Sequence, residues 1–336
     1  MGGAGSVEEG LARRAGLRFV GVPAGGLHGL APGRAALNLV RLARGFLAAL
    51  RLGRRERPQV LFVTGGYASV PVALAAWTLR VPILLYLPDI EPGLAVRFIA
   101  RLATRIAVTT EDSRACFPAR QTVVTGYPVR PELSAVGREE GRRLLGLAMD
   151  VPVLLALGGS HGARSINQAV TEQLESLLQE TQVVHVSGEL DWPWVTERAG
   201  RLPPSLRGRY HPFPYLHEEM GAAMAAADLA VCRAGASVLG ELPALRLPAV
   251  LVPYPYAWRY QRINAGWLAS RGAAVVLEDG QLRDELLPTV RRLLGEPQEL
   301  AEMRERAGEL ARPDAASCLA QELLALAARR GEENRR

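Results

Sequence analysis

Lysine is missing from this sequence: all 40 of its basic residues are arginine. That absence excludes a Schiff-base mechanism and the lysine of a phosphate-binding P-loop, and with them pyridoxal chemistry and Walker-type nucleotide hydrolysis. Cysteine is scarce. Cys116, Cys232 and Cys318 stand far apart, show no metal-ligand spacing and cannot form an even set of disulfides, which suits a reducing compartment. No apolar run reaches the length of a membrane span. The opening residues, MGGAGSVEEGLARRAG, lack the charged start and apolar block of a secretory signal, so none is expected.

What is present is a chain of 336 residues, 49% apolar, enough to fill the cores of two domains of ordinary size. The net charge of +6 is unevenly spread: residues 1–110 hold 14 arginines against 5 acids, residues 111–336 hold 26 against 29. A basic front half suits an anionic partner, whether a phosphate ligand, nucleic acid or a lipid surface; a solvated arginine face has the same composition. No interleaved aromatic–basic stretch or nucleic-acid reading motif accompanies the charge, so nucleic acid is not expected.

Apolar runs alternate with segments of helical period. Strands are expected at 17–23, 59–66, 82–88, 105–110 and from 121, with helices at 33–57, 70–80 and 93–103 between them. The polar, charged stretch 131–148, broken by Pro131 and Gly137, reads as a linker. A second series follows, with strands at 151–159, 182–188, 209–216, 229–235, 248–255 and 273–279 and helices between and after them. Both halves therefore read as α/β units with parallel sheets covered by helices. The expected division is 1–134, 135–312 and a final helix at 313–330 packing back toward the first domain.

Several strand ends carry residues suited to chemistry. The run LLALGGSHGARSINQAV stops at Gly158 and Gly159, passes Ser160, His161 and Gly162, and enters a helix. Such a turn serves tight packing, or it presents unpaired N–H groups to an anion. In CRAGASVLGE, Ser237 can cap a helix and Glu241 lies one turn in, placed for a ribose diol beside a diphosphate; a capped helix with a first-turn acid reads the same way. Gln261 and Asn264 stand one turn apart and can meet sugar hydroxyls or a base edge, or simply face water. In TGGYASVP, Gly65, Gly66, Tyr67 and Ser69 offer a second phosphate loop. TGYPVRP places Arg130 near the domain junction, as a phosphate clamp or an ordinary hinge ion pair.

Taken in order and at these intervals, TGGYASVP, TGYPVRP, LGGSHGARSIN, CRAGASVLGE and VPYPYAWRYQRINA resemble the MurG family of glycosyltransferases. The resemblance implies two Rossmann-like, doubly wound domains facing a cleft, the GT-B type. It implies an inverting hexosyltransferase that moves N-acetylglucosamine from UDP to an undecaprenyl-diphosphate-linked muramyl pentapeptide in peptidoglycan synthesis. A partner-dependent UDP-sugar binder and a transferase using another lipid acceptor are the alternatives.

By the same resemblance the donor contacts are Arg130, Ser160, Leu216, His217, Ala236, Ser237, Val238, Leu239, Gly240, Glu241, Gln261 and Asn264. Leu216 or His217 would lie against the base, and Glu241 on the ribose. The acceptor loop is Gly65, Gly66, Tyr67 and Ser69. A face including Val72, Leu74, Trp77, Leu79 and Arg80 would rest on anionic lipid, at the cytoplasmic side of the cell membrane, peripherally and near other cell-wall synthesis proteins. No cofactor and no metal are implied.

The sequence departs from the family twice. The family's opening strand, GGTGGH-type turn and helix have no counterpart ahead of GGAGSVEEGLARRAGLRF, so the N-terminal domain is expected to be incomplete. None of the five histidines (His28, His161, His185, His211, His217) occupies the position of that turn's histidine. Second, after the strand at 82–88, Asp89 stands where the family has asparagine. Asp89 is thus a candidate base for the acceptor hydroxyl, or an N-cap for the helix at 93–103.

Overall fold

The structure, a computed structural model, describes residues 1–3, 7–23, 25, 32–159, 162–256 and 259–333. They form two compact units, Met1–Thr125 with Ala316–Arg336, and Gly126–Ala315.

In the first unit the short strands β1 (Gly2–Gly3) and β2 (Gly21–Val22) pair in parallel. A separate parallel sheet runs β3 (Leu61–Val63), β4 (Ile83–Leu87), β5 (Arg105–Val108), β6 (Thr122–Val124) in that order. β4 is buried along its whole length, because helices cover both faces of the sheet. Ile83, Leu85 and Leu87 pack with Ala73 and Ala76 of the helix Ser69–Thr78 and Ile99 of the helix Leu94–Ala100. On the opposite face Leu84, Tyr86 and Ala107 meet Leu319 and Leu326 of the C-terminal helix Ala315–Glu333. Arg105 pairs with Glu322 at 3.0 Å, and Arg330 donates to the carbonyls of Leu79 and Arg80. The long helix Pro32–Glu56 crosses the helix Ser69–Thr78 at Gly45, where a Cβ would come within 2.2 Å of the Pro23 carbonyl.

The second unit has six parallel strands: β7 (Val153–Leu157), β8 (Gln182–Val186), β9 (Tyr210–Phe213), β10 (Leu229–Cys232), β11 (Ala249–Leu251) and β12 (Ala274–Val276). Their order across the sheet is β12-β11-β10-β7-β8-β9. The winding reverses between β7 and β10, which lie side by side with Leu157 opposite Cys232. At such a reversal the two following loops diverge and leave a crevice beyond the carboxyl ends of the strands, where doubly wound sheets bind ligands.

The stretch 131–148, expected as a linker, is ordered and belongs to this unit. It forms a 3₁₀ turn, Pro131–Ser134, and a helix, Arg138–Leu144. The physical reason is Arg142. Its guanidinium is almost fully buried and donates to the carbonyls of Ala226, Ala148, Met149 and Val151 and to Asp228, so a charged residue anchors the segment. The helix that follows the glycine turn breaks at Gln173 into Arg164–Glu172 and Leu174–Glu180.

Candidate functional site

A cavity of about 790 Å³ opens where the winding reverses. Its floor comes from the ends of β7 and β10, and its walls from the loops that follow them. After β7 the chain turns through Gly158, Gly159 and Gly162 into the helix Arg164–Glu172. The glycines are required. A Cβ on Gly158 would lie 2.1 Å from the Ala163 nitrogen, and Gly162 has φ +74° with the Ser187 carbonyl 2.4 Å from any Cβ. Ser160 and His161, singled out in the sequence, lie outside the described residues.

After β10, Ser237 occupies the N-cap of the helix Val238–Ala244 but makes no capping hydrogen bond; its backbone is already helical, and it lines the cavity. The amides of Val238, Leu239 and Gly240 close back on the carbonyls of Gly235, Ala236 and Ser237 at 3.2, 3.1 and 3.1 Å. Those of Ala236 and Ser237 have no backbone acceptor among the described residues. The anion-facing amides of this turn are therefore fewer than expected. Leu239 is buried in the core, and Gly240 packs on Tyr127, where a Cβ would meet the ring at 2.7 Å. Glu241 lines the cavity, half-buried, and no described group donates a hydrogen bond to its carboxylate. A half-buried carboxylate without a donor is a group waiting for one.

Gln261 also lines the cavity, its Oε1 accepting from the Tyr254 amide at 2.8 Å. Asn264 does not: it is fully buried and its Nδ2 donates to the Ala234 carbonyl at 3.2 Å, so it ties its helix to the end of β10 and cannot touch a ligand. Arg130 is exposed and outside the cavity lining. Leu216 is buried and His217 is exposed, its ring tilted against Tyr215 at 4.5 Å between ring centroids, and neither lines the cavity.

The sequence reading missed two arginines here. Arg164 stands at the start of its helix with Nε and Nη2 on Asp191 Oδ1, at 2.9 and 2.7 Å. Behind it runs a buried relay. Asn167 donates to Asp191 and to the Ser187 carbonyl, and its Oδ1 lies 2.9 Å from His185 Nε2; His185 Nδ1 lies 2.8 Å from the Tyr210 hydroxyl. With the amide oriented by its two acceptors, Nε2 carries the proton and Nδ1 accepts from Tyr210.

Burial holds His185 neutral, its pKa pushed down to about 4 despite the Asp191 charge. Burial raises Asp191, but hydrogen bonds from Arg164, Trp194 and Asn167 outweigh it and leave the carboxyl below its usual range. The second arginine, Arg233, contacts Asp279 and Ser165 on the opposite wall. Both arginines stand inside the motifs quoted above, but the role of neither is legible locally, because its partner is distant in the chain. Cys232, on the floor, is kept a thiol: burial pushes it up to about 12, with the Glu241 charge adding to the rise.

In the first unit Gly65 and Gly66 take φ of +97° and +80°, and the Ser69 hydroxyl donates to the Gly65 carbonyl at 2.5 Å, closing the turn into the helix Ser69–Thr78. Tyr67 is exposed. Asp89 follows β4 on a loop fixed by Thr109, whose hydroxyl donates to the carbonyls of Leu87 and Pro88 at 3.0 Å. It is not a cap, since Gly93 holds the N-cap of the next helix. The expected lipid-facing set divides: Val72 lies in the core with Ala49 and Ala75, Leu74 and Leu79 are half-buried, and Trp77 and Arg80 project outward.

Among the described residues no three histidine, cysteine or acidic side chains come together as a metal set, and no helix is long and apolar enough to cross a membrane.

Residues 1–108 match the glycosyltransferase family 28 N-terminal domain, and residues 153–319 the family 28 C-terminal domain. A UDP-N-acetylglucosamine–N-acetylmuramyl-(pentapeptide) pyrophosphoryl-undecaprenol N-acetylglucosamine transferase of Roseiflexus sp. is 44% identical over 98% of this chain and 84% of its own length. A protein of the same name from Desulforudis audaxviator is 40% identical over 92% of this chain and 84% of its own. Among solved structures, Acinetobacter baumannii MurG aligns with a TM-score of 0.74 at 24% identity, covering 96% of this chain and 89% of that one. A Neisseria meningitidis UDP-GlcNAc 2-epimerase bound to UDP-GlcNAc aligns with a TM-score of 0.65 at 13% identity, covering 95% and 88%. Both likenesses concern the fold, two Rossmann-like domains.

Proposed function

The chain belongs to the MurG family of glycosyltransferases, and on that premise we propose that it transfers N-acetylglucosamine from UDP to the undecaprenyl-diphosphate-linked muramyl pentapeptide. The observation that carries this reading is the cavity at the strand reversal, with its glycine turn, the two unclaimed amides of Ala236 and Ser237, and the unpartnered carboxylate of Glu241. The nucleotide's diphosphate lies against the amides, and Glu241 accepts from the ribose hydroxyls. Gln261 turns its amide nitrogen to the sugar. Arg164, held by Asp191 through Nε and Nη2, offers its remaining N–H groups at the mouth, so the departing diphosphate is stabilised by fixed dipoles and a guanidinium without a metal ion.

Asp89 takes the proton of the acceptor hydroxyl as it attacks the anomeric carbon from the face opposite UDP, inverting that centre. Leu216, buried, has only its backbone to offer the base. Gly65, Gly66 and Ser69 hold the acceptor diphosphate. Leu39, Val40, Leu47 and Trp77, all about half exposed or more, rest with the exposed Arg41, Arg44, Arg51 and Arg80 on anionic lipid at the cytoplasmic face of the membrane.

The test is transfer of labelled N-acetylglucosamine from UDP to the lipid-linked muramyl pentapeptide. Product is expected from the wild-type chain, and Asp89→Asn is expected to lower kcat at least ~100-fold, the scale of a lost general base. Tight UDP-GlcNAc binding with no transfer to this acceptor would contradict the assignment.

A further inference from the structure

Arg233 is the last residue before the turn that precedes Ser237, and its side chain is only 11% exposed. Its guanidinium reaches three other elements at the carboxyl edge of the sheet. Nη1 donates to Asp279 Oδ1 at 2.5 Å, beyond β12, and to the carbonyls of Val252 and Pro253 at 3.3 and 3.5 Å, beyond β11. Nη2 donates to Ser165 Oγ at 2.7 Å, in the first turn of the helix Arg164–Glu172. Ser165 Oγ in turn donates to Asp279 Oδ1 at 2.7 Å, closing a ring of three side chains. The guanidinium also lies 5.2 Å from the centroid of the Tyr254 ring.

The loop at 252–254 is therefore held from below by one arginine, through two carbonyls and an aromatic face. It is held from above by Gln261, whose Oε1 accepts the Tyr254 amide at 2.8 Å. That hydrogen bond decides which end of the Gln261 amide faces the cavity: with Oε1 engaged, the nitrogen is the end left for a ligand. Only a planar fork of several donors spans these partners, and a lysine ammonium does not.

We propose that Arg233, clamped by Asp279 and Ser165, is a positioning residue for recognition of the donor sugar: it fixes the 252–254 loop, and through the Tyr254 amide sets the orientation in which Gln261 presents its nitrogen. The proposal rests on the donor reading of this cavity given above. It predicts a specific division of labour. The nucleotide is held by the turn amides and Glu241, which Arg233 does not touch, so loss of Arg233 weakens the sugar's contribution and spares the nucleotide's. The Arg233–Asp279 pairing also leaves the wall uncharged, so a lysine that keeps the pairing but cannot hold the loop restores stability without restoring sugar recognition.

The test compares calorimetric titrations of UDP and of UDP-GlcNAc into the whole protein, as wild type, Arg233→Lys, Arg233→Gln, Gln261→Ala and the double variant Arg233→Gln/Gln261→Ala, each checked by thermal melting. Arg233→Lys and Arg233→Gln are expected to weaken UDP-GlcNAc about tenfold beyond any change in UDP, the scale of one lost hydrogen bond to the sugar. The double variant is expected to match Gln261→Ala within about twofold, because both substitutions remove one effect. Equal weakening of the two ligands, or effects that multiply in the double variant, would overturn the proposal.

Should the Arg233 variants fail to fold, Ser165→Ala removes two hydrogen bonds of the clamp, the one from Arg233 and the one to Asp279, and leaves the Arg233–Asp279 pair in place. It is expected to weaken UDP-GlcNAc alone by a few-fold; a uniform loss overturns the proposal. A wild-type protein that binds neither ligand overturns the donor reading and this inference together. One that binds both, with Arg233→Gln indistinguishable from it, overturns this inference alone.

Discussion

His185 has to stay neutral for the fold to hold. It is fully buried between Tyr210 and Asn167, with one ring nitrogen donating and the other accepting, and a second proton would place a positive charge in the core and reverse the bond to Tyr210. Its pKa falls from an ordinary 6.5 to about 4, so between those values the unfolded chain takes up a proton that the folded chain refuses. Stability is therefore complete above pH 6.5 and is lost as pH falls toward 4, by up to about 3 kcal/mol from this residue. His211, held down chiefly by burial, adds in the same direction. Thermal melts between those two pH values should show a steeper loss of Tm for wild type than for His185→Gln. Equal slopes would show that the relay behind Arg164 does not depend on a neutral imidazole.

At this scale the sequence was partly legible. Glu241 and Gln261 announced themselves because each sits a fixed step after a glycine turn or a proline-rich loop, and both line the cavity. Asn264 did not behave as its spacing from Gln261 suggested: one turn on a helix does not say which of two polar residues faces inward, and Asn264 is the one sealed against Ala234. Arg233 stands inside the motif CRAGASVLGE, but its role was not legible, since its carboxylate partner is 46 residues away and only the parallel pairing of β10, β11 and β12 brings them together.

Among the elements, the glycine turn after β7 bears the most weight. Gly158 and Gly162 face backbone atoms that cannot move aside, and Gly159 takes a φ of +81°. Gly158→Ala should cost about 1–3 kcal/mol by overpacking, seen in denaturant unfolding, and should weaken UDP at least tenfold because the turn must widen. Wild-type UDP affinity in that variant would place the nucleotide elsewhere. Strands were the readable elements, because a parallel strand buried on both faces is a continuous apolar run such as ILLYL or VLLAL. The helix Arg138–Leu144 was not readable. Its sequence is charged throughout, and charge normally signals solvent, yet Arg142 is buried on carbonyls and on Asp228, where Arg138 and Arg304 also converge.

Over the whole molecule, charge and topology carry different parts of the account. The strand order of the second unit fixes where a ligand can bind before any side chain is considered; alternation of strands and helices made a helix-covered parallel sheet an expectation from sequence, but not the order of its strands. Charge makes the front half basic, with arginines flanking exposed Leu39, Val40, Leu47 and Trp77. Binding to vesicles containing anionic lipid should be measurable by sedimentation and should fall between about 0.05 and about 0.5 M salt, while neutral vesicles bind weakly throughout. Retention that ignores both salt and lipid charge would contradict the lipid-facing assignment. Which residues project outward was the illegible part, since an apolar helix such as SVPVALAAWT gives no side to the reader until Pro32–Glu56 packs on it.

The central claim is that the second unit holds a uridine nucleotide through turn amides and Glu241, with no cation. Calorimetry with UDP in excess chelator tests it most directly. The account predicts saturable one-site binding by the wild-type protein and a loss of roughly 10–100-fold in Glu241→Ala at unchanged Tm, the worth of a charge-assisted hydrogen bond. Binding that appears only when a divalent ion is restored, or that is unchanged in Glu241→Ala, would contradict it.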